Sequence, residues 1–163
     1  MPNSCVASFY SFQACCSLRS IVIPNNMTNI GIRTFDGCHA LTSISIPNSI
    51  KTISNYAFNE CYALSRITLP NGITSIGTFA FGTCRSMSSI VFPNSITSIG
   101  DFRLCYGVKY YDFAAATAVP TLGDSRAFSG IADDCEIRVP ASLVDTWKAA
   151  TNWARYANHI VGV

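Results

Sequence analysis

Apolar positions along the chain recur every 23 residues. Prolines stand at 24, 47, 70 and 93, and each follows an alternating apolar pair: Ile21 and Ile23, Ile44 and Ile46, Ile67 and Leu69, Ile90 and Phe92. Three residues ahead of each pair lies Leu18, Leu41, Leu64 or Met87. Two further apolar columns follow each proline: Met27 and Ile30, Ile50 and Ile53, Ile73 and Ile76, Ile96 and Ile99. Glycine comes next at 31, 77 and 100, with Ser54 as the exception. Then come Phe12, Phe35, Phe58 and Phe81, with Leu104 in the fifth unit, and three residues after each Phe lies Cys15, Cys38, Cys61 or Cys84.

A unit this short cannot bury its own apolar face, but stacked copies bury one another, each touching only its neighbours. Within Ile44–Ser45–Ile46 the alternation fits a short strand with one face buried. The following proline has no N–H to give to a sheet, so it ends the strand and turns the chain. Ile-x-x-Ile-Gly reads as a second short extended piece, and Ala57–Phe58 or Ala80–Phe81 through the cysteine as a helical or 3-10 turn. The expected architecture is an α+β repeat solenoid of about six coils, each rising ~4.8 Å by strand spacing.

The pattern loosens toward the C-terminus. In the fifth unit Leu104, Tyr110 and Phe113 are expected to keep the inward columns, with Gly107 at the cysteine position and Cys105 two residues early. Pro120 follows Pro93 by 27 residues, and Ala114–Ala115–Ala116–Thr117 is read as the insertion. A shorter sixth coil runs from Pro120 through Phe128 to Pro140. Ser142 then reads as a helix N-cap, Leu143, Val144 and Trp147 share one helical side, and Trp153, Tyr156 and Ile160 suggest a second short helix or turn. The expected division is a solenoid over 1–139 and a helical cap over 140–163. No matching cap precedes the first coil, because Pro2–Asn3–Ser4 already resembles Pro47–Asn48–Ser49. That end is expected to be truncated or covered by another chain or domain.

The columns Leu41 to Cys61 and Leu64 to Cys84 resemble the BspA-like leucine-rich-repeat family, whose pattern is L-x-x-I-x-I-P-x-x-I-x-x-I-G-x-x-A-F-x-x-C. The segment Val139 to Trp153 is similar to the C-terminal block that ends many such proteins in gut bacteria. The resemblance implies a right-handed leucine-rich-repeat coil. It also implies a surface or secreted protein of adhesion and host binding, and it carries no catalytic motif.

Composition narrows the function further. The chain has 163 residues, a formal net charge of +2 and only 12% charged residues against 49% hydrophobic. There is no basic stripe for nucleic acid and no apolar run near the ~20 residues a membrane span needs. The N-terminus shows no secretory signal, the first positive charge being Arg19.

Eight cysteines raise the question of chemistry. No C-x-x-C pair occurs. Stacked cysteines would lie ~5 Å apart, within disulfide range, but parallel side chains suit that bridge poorly. The reading preferred is a reduced column of small hydrophobes, with disulfides and a metal or catalytic role as the alternatives. His39 follows Cys38 directly, yet neighbours of an inward residue face outward, so it reads as a solvated histidine rather than a catalytic base. Asp133, Asp134 and Glu136 read as a solvated turn. Asn26–Met27–Thr28 matches a glycosylation sequon by pattern alone. No enzyme activity, cofactor or metal is expected.

Two outward columns are the candidate binding residues. One holds Tyr10, Arg33, Tyr56, Phe79 and Phe102, an aromatic ribbon with an arginine, which is the chemistry protein interfaces favour. These rings can equally lean on the solenoid and cover its Ile columns. The other follows each cysteine: Cys16, His39, Tyr62, Arg85 and Val108. Two functions are open. One is a protein- or glycan-binding module facing a host or neighbouring cell. The other is an assembly protein whose coils stack end to end through the uncapped first coil, or decorate a filament or virion.

Overall fold

A computed structural model describes residues 11–163; readings that rest on Tyr10, Cys5 and the other residues of 1–10 lie outside it. Two sets of short strands alternate along the chain. One set is β1 (Asn29–Ile30), β3 (Thr52–Ile53), β5 (Ser75–Ile76), β7 (Ser98–Ile99) and β9 (Thr121–Leu122), which form a single parallel sheet in that order. The other is β2 (Ser43–Ser45), β4 (Arg66–Thr68), β6 (Ser89–Val91), β8 (Tyr110–Asp112), β10 (Glu136–Val139) and β11 (Ile160–Gly162). It divides into a pair, β2–β4, and a four-stranded sheet, β6–β8–β10–β11. Ile44 lies beside Ile67, and Ile30, Ile53, Ile76 and Ile99 follow one another in register, so the 23-residue period is the strand register of a solenoid.

The strands from β1 to β9 are two or three residues long, and in each only the second residue turns inward; β10 buries Ile137 and Val139, and β11 its first residue, Ile160. The third side of each coil is a run of turns. Phe12, Phe35, Phe58, Phe81, Phe102 and Phe128 stack along it with centroids 5.2 to 5.7 Å apart. Burying these rings and the Ile columns is the dominant stabilising contribution. The cysteine column adds a directional link between coils. The thiols of Cys38, Cys61, Cys84 and Cys105 donate to the carbonyls of Phe12, Phe35, Phe58 and Phe81 at 3.1, 3.2, 3.2 and 3.0 Å.

The helical or 3-10 turn expected around each Phe is a run of single turns closed by i→i−3 hydrogen bonds, such as Asp36 N–H to Arg33 O and Cys38 N–H to Phe35 O, and not a continuous helix. A left-handed residue stands immediately before the cysteine position in each coil: Ala14, Gly37, Glu60, Thr83 and Leu104. Three coils carry a second one two residues before the Phe: Arg33, Tyr56 and Phe79. A positive φ at each place prevents a helix from propagating.

The fifth coil differs from the expected register. Phe102, not Leu104, fills the phenylalanine column; Cys105, not Gly107, fills the cysteine column; and Tyr111, not Tyr110, lies beside Ile90 and points inward. Leu104 is 39% exposed. The cause is a loop shortened by two residues between Gly100 and Phe102, compared with Gly77 to Phe81. The segment from Phe113 to Leu122 is two residues longer than that from Phe92 to Ile99, so β7 and β9 keep the 23-residue register. The insertion is therefore two residues rather than four, and Ala114, not Pro120, stands where Pro93 stood.

Residues 140–163 form a short 3-10 turn (Ala141–Leu143), helix α1 (Val144–Ala149), a second 3-10 turn (Ala154–Tyr156) and β11. Ser142 makes no capping hydrogen bond; the 3-10 turn preceding α1 takes up the helix start. Trp147, Trp153 and Tyr156 are buried against Phe113 and Phe128. The strand β11 continues the sheet, with Ile160 beside Ile137. No helix among the described residues is long and apolar enough to cross a membrane.

Candidate functional site

The two outward columns stand on the turn side of the solenoid. In the first, the guanidinium of Arg33 lies 4.4 Å from the Tyr56 ring centre, Tyr56 stacks on Phe79 at 5.2 Å, and Arg103 covers Phe79 at 4.6 Å. Both rings are thus sandwiched, and only their edges face outward. Phe102, expected in this column, is fully buried because the shortened loop moves it into the core. Arg103, from the next coil, takes over the end of the ladder. Arg33, Tyr56 and Phe79 all have φ between 53 and 59°, a region that Gly or Asn occupies at lower cost. Stacking and cation–π contact offset part of that strain.

The charges of this ladder are paired. Arg33 bonds Asp36 at 2.7 Å, and Asn59 donates to the other Asp36 oxygen at 2.9 Å. Arg103 binds the buried Asp101 and also Asp124 at 3.1 Å. Asp101 stands in the small-residue column of Ala57, Ala80 and Ala127, and burial pushes its carboxyl above the usual range, against the pull of Arg103.

The second column is more open. His39 stacks on Tyr62 at 4.6 Å, and Arg85 lies 5.0 Å from the other side of that ring. Tyr62 donates to Glu60 at 3.0 Å, which pushes its phenol up, and His39 lies 3.8 Å from the same carboxylate oxygen. Arg85 is exposed and has no acidic partner within ion-pair distance among the described residues. Val108, expected here, is buried; Tyr106 occupies the position and is 56% exposed. Arg103, Tyr106 and Glu60 are the members of this face that the regular period misses. Aligning the fifth unit on Cys105 instead of Leu104 finds Tyr106; Arg103 then falls in the column of Asp36, Asn59 and Gly82, and only its reach back over Phe79 brings it to the ladder.

The other sequence candidates stay apart. Asp134 pairs with Lys109 at 2.9 Å and Glu136 with Arg138 at 2.7 Å, so these carboxylates are held separately. Burial pushes Cys38 up to about 11 and Cys105 up to about 12, and raises Cys61 and Cys84 as well, so these thiols stay protonated at neutral pH. Seven free cysteines lie among the described residues, of which Cys15 and Cys16 are exposed. No group of three or more His, Cys, Asp or Glu among the described residues can hold a metal ion.

A family profile described as BspA type leucine rich repeat region matches residues 7–132 in six copies. No curated protein sequence matches the chain. Among solved structures, a leucine-rich-repeat protein of T. pallidum is 33% identical with a TM-score of 0.63, over 64% of this chain and 50% of that one. A leucine-rich-repeat protein of Bacteroides ovatus is 27% identical with a TM-score of 0.55, over 83% and 47%. The pneumococcal vaccine antigen PcpA, at 13% identity and a TM-score of 0.62, shares the fold over 90% of this chain and 42% of its own. The chain spans about half the length of these proteins or less.

Proposed function

The chain belongs to the BspA-type leucine-rich-repeat family, and from that premise we propose that it is a non-catalytic recognition module that holds a protein on its outward aromatic and arginine face. The observation that carries this reading is the pair of ordered ladders, Arg33–Tyr56–Phe79–Arg103 and His39–Tyr62–Arg85, with Tyr106 beyond. Tyrosine and arginine dominate interface energetics. Rings already stacked in the free protein lose little side-chain freedom on binding. A sugar would need an open ring face, and those of Tyr56, Phe79 and Tyr62 are covered, which favours a polypeptide. The partner in this reading sits on a host or neighbouring cell, and recognition is adhesin-like.

Capture on immobilised protein tests it. Arg85→Ala combined with Tyr106→Ser should abolish retention of the bound protein while leaving the thermal midpoint unchanged. Tyr56→Ser with Phe79→Ser should abolish it too in a protein that still folds, with a lowered midpoint because the stacked rings and their guanidinium contacts are lost. Retention by both folded variants removes this face from consideration. Assembly is the second reading. It rests on an apolar depression of about 200 Å³ lined by Phe12, Ile21, Val22 and Met27, with Val22 86% exposed. Light scattering that gives one mass at all concentrations eliminates it.

A further inference from the structure

The strand face opposite β1–β9 is interrupted. No strand pairing joins β4 to β6, although β2 pairs with β4 and β6 with β8. The interruption is visible in one column of hydrogen bonds. The Thr42 N–H donates to Arg19 O, that of Ser65 to Thr42 O and that of Lys109 to Ser88 O, but none runs from Ser88 to Ser65. The hydroxyls follow the same rule: Thr42 bonds Arg19 O and Ser65 bonds Thr42 O, and the series stops at Ser88.

Two adjoining depressions open along this seam. One, of about 380 Å³, is lined by Arg66, Thr68, Ser88, Ser89, Val91 and Tyr110. The other, of about 430 Å³, shares Thr68 and Val91 with it and adds Asn71 and Asn94 above an apolar floor of Phe92 and Pro93. On the other sheet side, Thr74, Thr97 and Thr121 spend their hydroxyls on carbonyls of the preceding coil. At the seam, the side chains of Thr68, Ser88, Ser89, Asn71 and Asn94 make no hydrogen bond to another side chain or to the backbone among the described residues. Arg66 is exposed and has no carboxylate within ion-pair distance among the described residues.

We propose that this seam is a binding groove for an acidic oligosaccharide, with Arg66 receiving a carboxylate and the hydroxyl and amide side chains reading the sugar hydroxyls. Charge complementarity fixes the sign of the ligand, because a lone unpaired guanidinium forms its strongest hydrogen bonds with an anionic oxygen. Geometry argues for a sugar over a peptide. A peptide strand needs a free sheet edge to pair with, and here the facing edges of β4 and β6 pack against each other. The groove also lacks a deep apolar pocket for an anchoring side chain. The exposed Val91 offers its methyls to the C–H face of a ring. This site is on different residues from the ladder face, so either proposal can fail alone.

Calorimetric titration with an oligogalacturonate, a neutral malto-oligosaccharide of equal length and an oligoglutamate peptide tests the groove. The oligogalacturonate should bind saturably, and Arg66→Gln should weaken it about tenfold, the loss of one charge-assisted hydrogen bond. Lys51→Gln, which removes an exposed cation beside β3 with no carboxylate within ion-pair distance among the described residues, should leave binding unchanged. Ser88→Ala and Asn94→Ala together should weaken the complex without altering the melting temperature. Equal affinity for the neutral sugar, tighter binding of the peptide, equal losses in Arg66→Gln and Lys51→Gln, or no saturable binding would each overturn the proposal.

Discussion

Phe102 stacks on Phe81 with ring centroids 5.3 Å apart and planes within 10°, across 21 residues rather than 23. The core column is therefore kept by cutting the loop, and the cut has chemical consequences. Asp101 enters the small-residue column, where its carboxylate accepts the Arg103 N–H at 2.8 Å and closes the shortened turn. The same turn carries the Arg103 guanidinium onto Phe79.

Substitution separates the two registers. Phe102→Ala should cost about 3–5 kcal/mol, the loss expected for a fully buried ring, as should Phe58→Ala in a regular coil. Leu104→Ala should stay within about 0.5 kcal/mol because the side chain is exposed. Urea denaturation reads all three. Comparable losses at Leu104 and Phe102 would return the fifth coil to the 23-residue period.

Where the period is strict, the sequence is enough to place the core. Ile44, Ile67 and Phe58 are buried where their columns say, because a parallel register turns a sequence period into a spatial one. The fifth coil resists the same reading for a physical reason. A two-residue cut before Phe102 and a two-residue insertion after Phe113 cancel over the coil, so Ile99 and Leu122 still sit 23 apart and hide the shift between them. The strand β11 reads as a helix or turn because Gly162 stands where β2 and β4 are followed by a second alternating apolar residue, although β11, like them, buries one residue of three. In the candidate face, Tyr56, Phe79, His39, Tyr62 and Arg85 were legible as columns. Tyr106 and Arg103 were not, since both lie beyond the cut.

Tyr111 occupies an isoleucine position in the core, and its hydroxyl is buried without a hydrogen-bond partner among the described residues. Leaving such a group unsatisfied costs about 1–3 kcal/mol, so Tyr111→Phe should be neutral or stabilising by up to that amount. A raised urea midpoint at unchanged slope is the expected result. A loss of more than about 1 kcal/mol would mean that the hydroxyl is satisfied in solution.

The buried thiols set an alkaline limit on stability. Their ordinary value is 9.0, and burial raises Cys38 and Cys135 to about 11 and Cys105 to about 12. Below about pH 9 native and unfolded thiols are both protonated and the stabilisation is complete. Above it the unfolded chain releases protons that the native state retains. Stability should then fall by at most about 1.4 kcal/mol per pH unit for each thiol, until the native values are passed. Urea midpoints on either side of pH 9 measure this. Native-state alkylation followed by peptide mapping should label Cys16 well before Cys61 or Cys84; simultaneous labelling would refute the sealed column.

Past the sixth coil, side chains of residues 152–156 meet carbonyls that backbone N–H groups meet elsewhere in the stack. The carbonyls of Thr97 and Ile99 are met by the N–H groups of Thr121 and Gly123, one coil further on. At the next coil the equivalent carbonyls of Pro120 and Leu122 are met by Trp153 Nε1 at 2.8 Å and Asn152 Nδ2 at 2.7 Å. Tyr156 completes the closure: its hydroxyl accepts the Phe128 N–H at 3.0 Å and donates to Ser125 O at 2.7 Å. Tyr156→Phe leaves a buried N–H without a partner and should cost about 1–3 kcal/mol. Because each coil is coupled chiefly to its neighbours, the loss should be local at first. Hydrogen exchange should accelerate at Phe128 while the Phe35 amide, four coils away, keeps its rate. Equal acceleration at both would show that the stack opens as one cooperative unit, with Tyr156 holding every coil rather than the last.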